Sequence, residues 1–241
     1  MAYDRNSAHG TMKMAYDPTK ALLEICSRVG YVYAKTGYSS DIVRVHTYSS
    51  ETGNWSDHGD RYWSKLNVTM FKYGIYWSNA IHWVESPNDY KLDLENLSIT
   101  SVQAPVTVVD GMMCSERKLF ESRGCLILAC VYAHYTHCFE QLYVYEMSNE
   151  HSEWSTKYVV TLDESVRSFS NIWRRPDKWV STSVWSVVLG ERDEDSFLVI
   201  ELYGKVMQYH VISKAIRELR NFKSIDQCPR SFQFIASFAG V

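Results

Sequence analysis

The chain has 241 residues, 46% of them hydrophobic and 22% charged, which is enough apolar material to bury the core of a sizeable globular domain. A formal net charge of −3 argues against a general nucleic-acid binder, which needs a basic excess to neutralise phosphates. No run approaches the ~18 consecutive apolar residues a membrane helix requires, and residues 1–13 lack the apolar segment of a secretion signal.

Met1-Ala2-Tyr3-Asp4 reappears as Met14-Ala15-Tyr16-Asp17, and residues 1–13 are expected to form a poorly ordered leader before a domain over 14–241. Asp17-Pro18-Thr19-Lys20 is turn chemistry, because proline fixes φ and the aspartate accepts local backbone hydrogen bonds. Leu22, Ile25 and Val29 fit one face of a short helix, yet Gly30-Tyr31-Val32-Tyr33 is strand-like, and strand is the preferred reading for most of 23–33. Val43, Val45 and the residues up to Tyr48 have period two; Ser49-Ser50-Glu51-Thr52-Gly53 turns, and Trp55 restarts an apolar segment. Residues 56–69 read as a polar connection. Phe71–Trp83 then reads as two short strands around Ser78-Asn79, since asparagine tolerates positive φ. Lys91–Ile99 repeats strand, acidic-polar turn and return.

Residues 100–122 read as a long irregular link. Cys125–Val131 is a continuous apolar run and therefore an inner strand covered on both faces, with Phe139–Tyr145 as its neighbour. Leu142–Trp154 is a further hairpin, and 163–182 a long loop rich in charge and tryptophan. Val184–Leu189 and Asp195–Leu202 are strands joined by an acidic turn. Tyr203-Gly204 turns into Lys205–Val211, Val206–Leu219 is another hairpin, and Arg230–Phe238 is a closing aromatic strand. Hairpins of one kind thus recur at intervals of roughly 45 to 65 residues, the pattern of a repeat in which each unit is one small antiparallel sheet. The expected fold is all-β, a β-propeller-like array of about four to five blades, with a ring that need not be complete.

Several stretches together resemble the F-box-associated domain of plant F-box proteins, a family described as kelch-like or β-propeller. They are Ala15–Lys20, Tyr48–Trp55, Gly74–Trp83, Glu121–Gly124, Val144–Met147 with Trp154 and Lys157-Tyr158, and Gly204–Tyr209. They follow the family's order over roughly 14–241. The resemblance implies a non-catalytic protein-interaction module, the substrate-recognition half of an SCF-type ubiquitin ligase subunit. It also implies a Skp-type adaptor and cullin scaffold as partners. The family's N-terminal F-box is not recognisable ahead of the Asp17-Pro18 turn, which leaves a truncated member without adaptor binding, or a propeller-type enzyme or metal-binding protein, as alternatives.

No nucleophile elbow, zinc-protease motif or glycine-rich phosphate loop occurs, so neither catalytic residue nor cofactor is expected. The cluster Cys130, His134, His137 and Cys138 has zinc-ligand residue types but no standard spacing, and reads as a hairpin loop. Trp173, Arg174, Arg175 and Trp179 are the expected partner-binding residues, because Trp and Arg dominate interface hot spots and loops on a rigid scaffold carry recognition. Tyr132, His134 and Tyr135 are a second expected rim surface. Six cysteines at irregular positions suit reduced thiols, and hence a cytoplasmic or nuclear setting, with a protein substrate as partner and neither nucleic acid nor membrane.

Overall fold

A computed structural model of the chain describes residues 28–35, 42–49, 54–62, 74–84, 89–93, 95–105, 111–134, 140–148, 153–162, 182–202 and 205–221. Among them there is no α-helix, only a single 3-10 turn at Asp193–Asp195. The described residues are all-β, as expected. Strands β1 (Arg28–Lys35), β2 (Ile42–Ser49) and β3 (Asn54–Tyr62) make one sheet, and β4 (Ile75–Trp77), β5 (Ala80–Trp83), β6 (Asp89–Asp93) and β7 (Ile99–Val102) a second. β8 (Met112–Ser122), β9 (Cys125–His134), β10 (Glu140–Met147) and β11 (Ser155–Leu162) make a third. The fourth holds β12 (Ser183–Val188), β13 (Phe197–Leu202), β14 (Lys205–His210) and β15 (Ile216–Asn221). Every pairing is antiparallel between chain neighbours. Each sheet is therefore a meander that the chain completes before starting the next, which is the organisation of propeller blades. The sheets fall into two compact units, Met1–Gln103 with Ile235–Val241, and Ala104–Phe234.

In the first unit, β4 and β5 are joined by Ser78 and Asn79 at φ of 49° and 56°, and Trp77 stands opposite Ala80. Two consecutive positive φ values make the tight turn whose twist matches the flanking strands. All four residues of β5 are buried. β6 and β7 are joined by side-chain capping: Asp93 Oδ1 accepts from the N–H groups of Glu95 at 2.8 Å and Asn96 at 3.1 Å. Asn96 Oδ1 accepts from Ser98 N–H at 2.9 Å. The acidic-polar turn foreseen at this point works because aspartate and asparagine carboxyl and amide oxygens stand in for backbone acceptors. β3 corrects the reading of 56–69 as a connection. Its sequence Asn-Trp-Ser-Asp-His-Gly-Asp-Arg-Tyr has almost no apolar alternation, and pairing with β2 defines it, from Ser49 opposite Asn54 to Ile42 opposite Tyr62.

The second unit is built on two sheets that share one core. Alternate residues of β9, β10 and β11 (Ile127, Ala129, Val131; Leu142, Val144; Tyr158, Val160, Leu162) meet Val184, Val187, Leu198, Ile200, Leu202, Met207 and Tyr209 of the β12–β15 sheet. The period-two alternation of β13, burial iBiBiB, is a half-buried strand's signature. β9 is covered on both faces: Leu126, Ile127, Leu128 and Val131 are each 0% exposed, as its unbroken apolar run predicts. β8 corrects the reading of 100–122 as an irregular link. It spans eleven residues and pairs with β9 through a two-residue turn at Arg123 and Gly124, with φ of 54° and 73°.

The loop from β12 to β13 is tight at Gly190. A Cβ built there would lie 2.7 Å from the Asp195 backbone carbon and 2.8 Å from the Arg192 carbonyl oxygen, and backbone cannot swing aside as a side chain can. Gly190→Ala is therefore expected to lower stability by about 1–3 kcal/mol, read from the urea midpoint, since overpacking forces backbone shifts. An unchanged midpoint would mean that this loop opens freely.

Candidate functional site

The β8 strand is positioned by its hairpin with β9, and its register places Glu116, Lys118, Phe120 and Ser122 toward the β12–β15 sheet. At one end these side chains form a closed polar clamp. Lys118 Nζ donates to Ser183 Oγ and to the Val184 carbonyl, each at 2.9 Å. Ser183 Oγ donates to Glu116 Oε1 at 2.9 Å, and the same oxygen pairs with Lys118 Nζ at 2.9 Å. Glu116 Oε2 accepts the Val184 N–H at 2.7 Å. An edge strand leaves backbone groups unpaired, and here one carboxylate and one ammonium satisfy both backbone groups of Val184. Lysine and glutamate are committed to each other, to the Ser183 hydroxyl and to that backbone, so the arrangement holds two sheet edges together.

The seam continues along β12. The buried Glu140 carboxylate accepts from the Thr182 N–H at 3.2 Å and from the Thr182 hydroxyl. Ser122 Oγ accepts the Leu189 N–H at 2.9 Å, and Arg123 donates to the Gly190 carbonyl. At the far end Tyr158 donates to Asp193 Oδ1 at 2.6 Å, with Ser196 Oγ at 3.2 Å from the phenol oxygen. Burial, and then the Asp193 hydrogen bond, raise the Tyr158 pKa above the usual phenol value, so the phenol stays a donor at neutral pH. Buried polar groups must find partners, and these find them on the neighbouring sheet.

The opposite face of the β8–β11 sheet carries a second cluster. Register sets Cys114 opposite Tyr132 and Arg117 opposite Cys130 across β8 and β9. Tyr143 of β10 stands opposite Cys130 on the other side. Tyr132 and Tyr143 meet edge to face at 5.3 Å, and Tyr143 stacks on Tyr145 at 6.1 Å. A hydrogen bond from the Cys130 thiol, aided by the Arg117 charge and the Glu116 backbone, brings the Cys114 pKa down to about 7 although burial opposes it. The same hydrogen bond, together with burial, pushes the Cys130 thiol up.

Of the residues singled out from sequence, Trp173, Arg174, Arg175, Trp179 and Tyr135 lie outside the described residues, as do His137 and Cys138. His134 ends β9. Tyr132 is 8% exposed, with its ring against Tyr143. Cys130 is 1% exposed on β9. Among the described residues no group of three or more His, Cys, Asp or Glu is placed to hold a metal ion, and no helix is long and apolar enough to cross a membrane. The seam residues Glu116, Lys118 and Glu140 were missed. The available signal was Asp110-Gly111 and Arg123-Gly124, turn pairs that bracket an eleven-residue stretch without glycine or proline.

No protein-family profile matches the chain. It is similar to F-box protein At5g07610 of Arabidopsis thaliana, 24% identical over 258 residues, covering 98% of this chain and 60% of that protein. Among solved structures, an oligogalacturonate lyase in complex with manganese aligns at TM-score 0.47 and 10% identity, over 90% of this chain and 54% of the lyase. The WD40 domain of SCAP from fission yeast aligns at TM-score 0.32 and 12% identity, over 87% of this chain and 50% of that domain. The chain thus spans 60% of the length of this curated relative, and the likeness runs through almost all of the chain.

Proposed function

We propose that this chain is a non-catalytic protein-interaction module, the substrate-recognition part of an SCF-type ubiquitin ligase subunit. The observation that carries the reading is the likeness to an F-box protein over 98% of the chain, joined to a scaffold of successive antiparallel meanders. Glu116, Lys118 and Glu140 join neighbouring sheets into one scaffold, and loops on a rigid scaffold carry recognition. The principal lysine and carboxylates on the seam are consumed in those contacts, which fits a scaffold better than an acid–base centre. The partners are a protein substrate and, through the likeness to F-box proteins, a Skp-type adaptor and cullin scaffold; the setting is cytoplasmic or nuclear, and neither cofactor nor nucleic acid takes part.

The test is affinity purification of the tagged chain from plant extract, beside a variant with Trp173→Ala, Arg174→Ala and Trp179→Ala. Removing interface Trp and Arg anchors typically costs about 2 kcal/mol each. The bound substrate protein is therefore expected to fall at least tenfold while the urea midpoint stays put. Equal recovery by both forms moves recognition to other loops. Turnover of a small molecule by the purified chain, with no protein partner recovered, would overturn the reading.

A further inference from the structure

In the Ala104–Phe234 unit, β8 and β12 are the sheet edges joined by the clamp at Glu116 and Lys118, and β11 and β15 are the outer edges. An open edge offers N–H and C=O groups to any extended strand, and proteins guard it with charge, bulges or short length. β15 is guarded in two ways. Arg217, Glu218 and Arg220 are exposed charges, and the register shifts between Glu218 and Arg220, where Leu219 is the extra residue. β11 is guarded at its start alone. Lys157 is its one charged residue, falls at the register shift against β10, and is held by Glu146 at 3.1 Å. From Tyr158 to Leu162 the strand is uncharged, keeps regular register with β10, and is rich in β-branched residues, which suit a pleated surface. Its side chains alternate: Tyr158, Val160 and Leu162 enter the core, while Val159 is 51% exposed and Thr161 is exposed.

We infer that the outer edge of β11 is an interface between two copies of this chain, which pair their Tyr158–Leu162 stretches antiparallel and merge their β8–β11 sheets into one. The stretch complements itself about Val160. A two-fold axis through that residue, perpendicular to the sheet, sets Val160 against Val160, Val159 against Thr161 and Tyr158 against Leu162 of the second copy. Core-facing residues then stand opposite core-facing ones, and exposed opposite exposed, as a continuous sheet requires. The pairs join β-branched with β-branched and aromatic with aliphatic side chains, which stabilise neighbouring strands. Lys157 falls beyond the end of the other copy's strand, so no like charges meet within the paired stretch. Val159, which already has Tyr143 opposite it on β10, gains cover on its open side. An acidic or basic peptide meets no charge on this stretch to recognise, whereas a second copy matches it residue for residue. The contact uses the same patch on both copies, so it closes at two.

The test follows the purified full chain by sedimentation velocity from about 1 to 100 µM, the span over which a dimer of modest affinity assembles. The expected result is a mass that rises to twice that of the monomer, with amide hydrogen exchange at Tyr158–Leu162 slowing about tenfold at the concentrated end. Val159→Lys combined with Thr161→Lys sets ammonium groups opposite each other in both symmetry-related places, and is expected to weaken association at least tenfold. Val159→Lys combined with Thr161→Glu sets opposite charges there instead, and is expected to associate at least as well as the parent. Both positions are exposed, so the urea midpoints of the dilute variants should match the parent's. A parent chain that stays monomeric, that grows past a dimer, or that dimerises without slowing exchange in β11 would overturn the inference. So would protection of β11 that appears only when a different protein is added. The parent chain alone decides this, whether or not either variant folds.

Discussion

Ile200→Ala is expected to lower the stability of the Ala104–Phe234 unit by about 2–5 kcal/mol. Ile200 is 0% exposed and sits mid-strand in β13, paired with Val184 of β12 on one side and Met207 of β14 on the other. All three belong to the core shared with the β8–β11 sheet. The cost combines the lost transfer of the removed methylenes with the cavity they leave, because close-packed neighbours relax only in part. The measurement is the urea transition of the full chain. Ile200→Val serves as the graded control, at about 0.5–1.5 kcal/mol. If alanine cost less than valine's share, the two sheets would not be sharing a core in solution.

Acid is expected to weaken the chain through His82. The imidazole is 5% exposed, with its Nε2 lacking a hydrogen-bond partner and its ring against Trp77 at 5.5 Å. Burial, then the charge of Lys91 on the facing strand, hold its pKa at about 4 against an ordinary 6.5, despite a hydrogen bond to the Trp77 backbone that works the other way. The unfolded chain therefore takes up this proton near pH 6.5, while the folded one waits until about pH 4. Between those values the unfolded state binds the extra proton, so stability falls as pH drops through that window and levels off, for this group, below it. The shift corresponds to about 3 kcal/mol. His82→Leu keeps the side chain uncharged and removes the titration, so its urea midpoint should change far less between pH 6.5 and pH 4. A variant with the parent's slope would place the acid lability on other groups.

What could be read from the chain was local. Ser78-Asn79 between Trp77 and Ala80 specifies a two-residue turn by itself, because asparagine accepts positive φ at small cost. Asp93 and Asn96 write their own capping turn. The apolar run of β9 and the alternation of β13 announce an inner strand and a half-buried one. The antiparallel neighbours follow, since short turns leave no other partner within reach. β3 and β8 escaped the same reading because their side chains do not alternate between apolar and polar. In β8 the positions facing the neighbouring sheet are Glu116 and Lys118 beside Phe120, so its inward face looks solvated until its partner is known. The cluster on the opposite face was equally hidden: Cys114 and Cys130 are sixteen positions apart in the numbering, and only the β8–β9 register sets them on neighbouring strands.

By itself the sequence determined that this protein is a succession of antiparallel hairpins, because turn chemistry and side-chain period act over a few residues. It also carried the likeness to F-box proteins, since that is a property of residues in order. Tertiary structure alone decided how a charged strand becomes an edge clamp. Glu116 and Lys118 meet Ser183 and Val184 across more than sixty positions of chain, and a half-buried charge is held most favourably where a partner satisfies it. That partner is supplied by the fold, and nothing within a few residues of β8 foretells it.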